Sequence, residues 1–224
     1  MSFSLLDILF PRTCACCETP LNSHEQEICL HCLSDLPTTN YHFQQDNAVG
    51  QRFDGKIPYE HATAYLSFQK GSRYREAIHL MKYHHRPHIG TILGRYAAAE
   101  LQQVYADATL LLPIPLHPAR LRRRGYNQSL YIARGMSQIM QIPIDERSVI
   151  RTVKNETQTA RHGYERYLNT RDIFRVIHPE SLSGQHILIV DDVVTTGSTI
   201  ESCAHAILQA ATDVRISIFA LAAT

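Results

Sequence analysis

The sequence predicts an α/β fold, a mostly parallel central sheet flanked by helices, with a small metal-held module in front of it. Three observations predict it. From about residue 60 onward, apolar runs alternate with amphipathic segments of helical length, the signature of βα units around a parallel sheet. The run HILIVDD at 186–192 sets four branched or apolar residues between Gly184 and an acidic pair, as a central strand would. Five of the six cysteines (Cys14, Cys16, Cys17, Cys29 and Cys32) crowd the first 32 residues, and only Cys203 lies elsewhere.

The bulk properties agree. A chain of 224 residues has room for one ordinary domain and a small appendage, which we divide as 1–58 for the cysteine module and linker and 59–224 for the α/β domain. At 44% hydrophobic and 19% charged residues it has the composition of a soluble globular protein rather than a disordered one. No apolar run approaches the roughly 18 residues that span a bilayer, and the opening MSFSLLDILFPR is too short and too acidic for a signal peptide. The expectation is a cytoplasmic protein without membrane insertion. A formal net charge of +1 excludes a polycation that coats nucleic acid indiscriminately, so any nucleic-acid site has to be local.

Residues 1 to about 40 show little helical periodicity. Cys14 with Cys17 and Cys29 with Cys32 form two CxxC pairs with 11 residues between them, the spacing of a tetrahedral four-thiolate zinc site. A closed shell of that kind is structural, because it leaves no position for water or substrate. Cys16 is an alternative to either cysteine of the first pair, and His24 or His31 to one thiolate. The polar, turn-rich stretch 37–58 reads as a linker or an irregular wrap. Helices follow near 73–83 and 90–105, then a buried strand at 109–115 stopped by prolines, then a helix near 127–141. Residues 151–169 are polar with few apolar residues at regular spacing, which suits either a closing hood or a plain surface connection. After the strand at 186–192 come a helix at 198–210, in which Cys203 is a packing residue, and a last strand near 214–221.

The stretch ILIVDDVVTTGST at 187–199 carries the chemistry. Small residues from Thr195 to Thr199 let backbone N–H groups converge on an anion, and the helix N-terminus adds unsatisfied donors and a favourable dipole. Hydroxyls of Thr195, Thr196, Ser198 and Thr199 can donate to phosphate oxygens, and Gly197 lets the backbone come close. Asp191 and Asp192, at the carboxyl end of the strand, are placed to accept hydrogen bonds from sugar hydroxyls. The plainer alternative, a solvated strand end followed by a helix cap, needs one such residue, and here five stand in a row. No GxxxxGK and no GxGxxG after a strand competes for the phosphate. Upstream, Arg120, Arg122, Arg123 and Arg124 can hold a diphosphate by charge-assisted bonds, or for Arg120 and Arg122 form a solvated basic turn.

This strand, acid pair and Thr/Gly turn resemble the diphosphate-sugar motif of the type I phosphoribosyltransferases. PIPLHP, RRRGYNQ, Arg151 with Thr157 and Gln158, then Arg166 and Asn169 before Phe174, together with FPRTC and the two cysteine pairs, are similar to the ComF family, the GntX or amidophosphoribosyltransferase-like group. Tyr126 stands where that family usually shows Phe. The resemblance implies a type I phosphoribosyltransferase fold that binds phosphoribosyl pyrophosphate with Mg2+. Asp191, Asp192, Thr195, Thr196, Gly197, Ser198 and Thr199 would bind it together with Pro115, Leu116 and His117 of an earlier loop. Asp191, Asp192 and Arg124 would be the catalytic set, and Asn127, Gln128, Gln158, Arg166 and Asn169 the acceptor or hood contacts. It further implies structural Zn2+ on Cys14, Cys17, Cys29 and Cys32, and a role in natural transformation, with single-stranded DNA and competence proteins such as a DNA-uptake helicase as partners. The alternative is an active phosphoribosyltransferase of nucleotide or amine metabolism.

Overall fold

The computed structural model describes residues 11–44, 46–68, 71–152 and 173–224. Four strands, β1 (Ala62–Ser67), β2 (Leu110–Pro113), β5 (His186–Val194) and β6 (Arg215–Ala223), form a sheet in the order β1-β6-β5-β2, and every neighbouring pair is parallel. Two short strands, β3 (Val149–Arg151) and β4 (Phe174–Val176), pair antiparallel as a separate ribbon. The described helices are α1 (Leu30–Ser34), α2 (Arg73–Tyr83), α3 (His88–Leu101), α4 (Pro118–Arg124), α5 (Gln128–Met140) and α6 (Ser198–Ala210).

Successive side chains of a strand point to opposite faces, and β5 shows why its apolar run has no polar gaps. Leu188 and Val190 pack on one side with Met81 of α2, Leu93 and Ala97 of α3, and Ile132 and Met136 of α5. Ile187 and Ile189 pack on the other with Ile200, Cys203 and Ile207 of α6. Both faces of the strand are therefore dry, as the sequence anticipates. Cys203 is fully buried in the second layer.

The predicted helices at 73–83 and 198–210 are found with those ends. Other boundaries move: the second helix starts at His88 and stops at Leu101, the strand after it covers only Leu110–Pro113, β5 runs on to Val194 and β6 to Ala223. The stretch 37–58 is a wrap rather than a loose tether. Its Val49, Phe53 and Ile57 are buried in the layer beside α6, while Asn47 is held by amide bonds to the carbonyls of Gln44 and Ala62. The cysteine segment likewise contributes Cys14, Ala15, Ile28, Cys29 and Cys32 to the layer that contains α2 and α3. Four features were not placed from the sequence: the short helix α1 in the cysteine segment, strand β1, the basic helix α4 and the β3–β4 ribbon. Among the described residues no helix is long and apolar enough to cross a membrane.

Candidate functional site

The loops that follow β2 and β5 lead to helices on opposite faces of the sheet, α5 on one and α6 on the other. In sheets of this kind, such a divergence at the carboxyl ends of neighbouring strands is the usual ligand position. Pairing of β2 with β5 ends at Pro113 and Val190, with one further bond from Ile114 N to the Val190 carbonyl at 2.9 Å. Asp191 to Val194 therefore run past the end of β2. Pro115, Leu116 and His117 follow Ile114 and are half-buried.

Strand alternation alone would send Asp191 and Asp192 to opposite faces. The first turn of α5 brings both to one lip. Ser129 Oγ donates to Asp191 Oδ1 at 3.2 Å, and Gln128 Nε2 donates to Asp192 Oδ2 at 3.3 Å. Asp191 Oδ1 also accepts the amide of Asp192 at 2.8 Å, and Lys82 Nζ of α2 is 3.0 Å from Asp192 Oδ1. Burial, and then the neighbouring Asp192 charge, push the Asp191 carboxyl up to about 7.

Gly197 caps α6 with a left-handed φ of 83°, a conformation that favours glycine. A Cβ there would also stand 2.8 Å from the Phe53 ring. Thr195, Thr196 and Ser198 are exposed around it, and the Thr196 and Ser198 hydroxyls are 2.9 Å apart. The wrap forms the floor of this turn: Arg52 donates to the carbonyl of Val194 at 2.9 Å and to that of Thr224 at 2.6 Å. The rim is basic. The arginines of 120–124 lie on α4, a helix where the sequence reading allowed a turn, with Arg120, Arg122 and Arg123 exposed. Arg124 is only 8% exposed, and its guanidinium covers the Tyr83 ring at 4.8 Å. Among the described residues, Arg124 Nε and Gln128 Oε1 are buried without a hydrogen-bond partner.

Other candidates have local duties. His117 Nδ1 accepts the Ala119 amide to cap α4, and Asn127 caps α5 while its Nδ2 donates to the Ile114 carbonyl at 3.0 Å. Arg151 ends β3 and lies over the Phe174 ring; burial, and then the nearby Arg120, lower its pKa. Gln158, Arg166 and Asn169 lie outside the described residues. Lys82, Ser129 and Arg52 were not read from the sequence, because each stands in an ordinary helix or wrap and acquires its contact only through the fold.

At the cysteine module, Sγ atoms of Cys14, Cys17, Cys29 and Cys32 all lie within 4.8 Å of one another. Cys17 and Cys29 Sγ are 3.7 Å apart. A tetrahedral ion with bonds of about 2.3 Å places its sulfurs about 3.8 Å apart, so this donor set fits zinc. Amides of Cys16 and Cys29 donate to Cys14 Sγ at 3.4 and 3.3 Å. Cys16, His24 and His31 are not part of the cluster, and burial pushes the Cys16 thiol up to about 12.

The comparisons with known proteins bear on the α/β domain. Residues 127–223 match the phosphoribosyl transferase domain. The chain is 34% identical over 137 residues to the DNA utilization protein YhgH of Escherichia coli, covering 59% of this chain and 60% of that one. Competence protein F of Haemophilus influenzae is 32% identical over 91 residues, 40% of each chain, and competence protein ComFC of Bacillus subtilis 31% over 125 residues, 55% of this chain and 49% of that one. The chain thus spans about three fifths of the length of the first of these relatives. The ComF resemblance drawn from the sequence agrees with them, and the mostly parallel sheet with flanking helices agrees with the phosphoribosyl transferase domain.

Proposed function

We propose that the phosphoribosyl transferase domain binds phosphoribosyl pyrophosphate with Mg2+ in the crevice between β2 and β5. The observation that carries this reading is the convergence of both carboxylates on the first turn of α5 beside the Thr195–Thr199 turn. The backbone and hydroxyls of that turn receive the 5-phosphate, and Asp191 and Asp192 accept bonds from the ribose hydroxyls. The loop from Pro115 to His117 and the buried Arg124 face the diphosphate, whose charge a guanidinium stabilises bidentately. The unpartnered Arg124 Nε and Gln128 Oε1 support a polar ligand here, since buried polar atoms rarely go unpaired. Mg2+, when bound with the diphosphate, neutralises charge as a leaving pyrophosphate develops it. Zn2+ on Cys14, Cys17, Cys29 and Cys32 holds the cysteine segment in shape.

Isothermal titration with the sugar diphosphate and Mg2+ should show micromolar binding that falls at least about tenfold in Asp191→Asn with Asp192→Asn, since each lost charge-assisted bond is worth about 1.5–3 kcal/mol. No heat with the wild-type protein, or unchanged affinity in the double variant, overturns the reading. Pyrophosphate release in the presence of candidate amines or bases separates a transferase from a binding protein.

The names of the relatives favour a setting in competence and DNA utilisation, and the family resemblance adds single-stranded DNA in the cytoplasm and other competence proteins such as a DNA-uptake helicase as partners. Exposed Arg120, Arg122 and Arg123 on α4 supply a local basic surface in a chain whose net charge is only +1. Gel shift with a single-stranded oligonucleotide should give binding that declines steeply between 50 and 200 mM salt and weakens in the triple Arg→Ala variant. An absence of shift at low salt removes this part of the proposal.

A further inference from the structure

The last turn of α2 touches the sugar-site lip three times. Lys82 Nζ pairs with Asp192 Oδ1 at 3.0 Å, and the two side chains are only 19% and 15% exposed. The Met81 carbonyl accepts the Tyr126 hydroxyl, and the Tyr83 ring lies beneath the Arg124 guanidinium. The first turn of the same helix is fastened to the cysteine module. The Tyr74 hydroxyl bonds to the Cys32 carbonyl at 3.1 Å and the Asp35 carbonyl at 2.5 Å, and Arg73 forms an ion pair with the Asp35 carboxylate. Eleven residues at about 1.5 Å each make a stiff strut of about 16 Å between the two.

Two adjacent carboxylates repel, and neither accepts a sugar hydroxyl well once it holds a proton. A mostly desolvated ammonium beside them acts with less screening than a surface lysine would. Among the described residues, the other groups facing the pair are Gln128 and Ser129 of α5, with the Arg151 guanidinium and the Cys203 thiol in electrostatic reach of Asp191. Among the described residues, Lys82 is the cation in direct contact. We propose that Lys82 is a positioning residue that keeps the Asp191–Asp192 pair oriented for ribose hydroxyls, and that the cysteine module sets its place through α2. This rests on the reading of the acid pair as the sugar site. It gives the N-terminal module a role in ligand affinity although it lies at the far end of a helix.

Two measurements on the full-length protein test it. The first needs no ligand: a carboxyl NMR titration should show Asp191 moving up from about 7 in Lys82→Met, staying near the wild-type value in Lys82→Arg, and moving part of the way in Tyr74→Phe. The second is calorimetry with phosphoribosyl pyrophosphate and Mg2+. Lys82→Met should weaken binding about tenfold, Lys82→Arg within about twofold, and Tyr74→Phe about threefold, with Tyr74→Phe/Lys82→Met no weaker than Lys82→Met alone. An Asp191 titration indifferent to Lys82→Met overturns the positioning role. Losses that multiply in the double variant, or a silent Tyr74→Phe, overturn transmission through α2. A wild type that binds no sugar diphosphate, with the Asp191 shift intact, overturns the sugar reading and leaves the hold of Lys82 on the pair supported.

Discussion

Asp191 concentrates the tension between stability and function at this site. Its carboxyl sits at about 7 rather than at the ordinary 3.8 because burial and the Asp192 charge both disfavour ionisation. The folded state therefore binds more protons than the unfolded one between those values, and the contribution of this residue to stability is full below about pH 4 and fades as pH rises through about 7. Asp191→Asn should then melt higher than the wild type at pH 8, with the difference shrinking toward pH 4, as differential scanning calorimetry across that range would show. Sugar-diphosphate affinity should run the other way, increasing between pH 6 and 8 as Asp191 ionises. A wild type whose stability is flat from pH 4 to 8 would show that the carboxyl is not perturbed as described.

At the scale of elements, the site depends on how closely α5 lies against α3. A Cβ on Gly135 of α5 would stand 2.1 Å from the Thr91 carbonyl oxygen of α3, so any larger residue forces the helices apart. Gly135→Ala should cost about 1–3 kcal/mol in denaturant unfolding, and should weaken ligand binding as well, because α5 carries Gln128 and Ser129 against the two acids. Sequence made β5, the turn after it and α6 legible, since an apolar run, an acidic pair and a Thr/Gly turn each depend on neighbours in the chain. The wrap at 37–58 was read as either linker or wrap, because its buried Val49, Phe53 and Ile57 stand among polar and turn-forming residues. The α4 helix stayed hidden for the opposite reason: in PARLRRR the exposed charges gave no apolar stripe, and its caps are His117 and Gly125. Lys82 became visible only when α2 was packed against β5, a contact between residues 110 positions apart.

For the whole molecule, the cysteine segment and the sheet share a packed layer, and Arg86 ties them further through an ion pair to Glu27 at 2.6 Å. Chelation of the metal, or Cys32→Ser, should lower the melting temperature by several degrees in a thermal scan and restore it, for chelation, when Zn2+ is added back. An unchanged melting curve together with no zinc by elemental analysis would contradict a metal-held segment. The central claim is that one crevice, built by the divergence of the connections after β2 and β5, holds a phosphorylated sugar by its phosphate and its hydroxyls together. A crystal structure with phosphoribosyl pyrophosphate and Mg2+ tests it most directly. The account predicts the 5-phosphate within hydrogen-bond distance of the backbone amides of 196–199 and the ribose hydroxyls on Asp191 and Asp192; a sugar diphosphate bound elsewhere, or with its hydroxyls turned away from both acids, would contradict it.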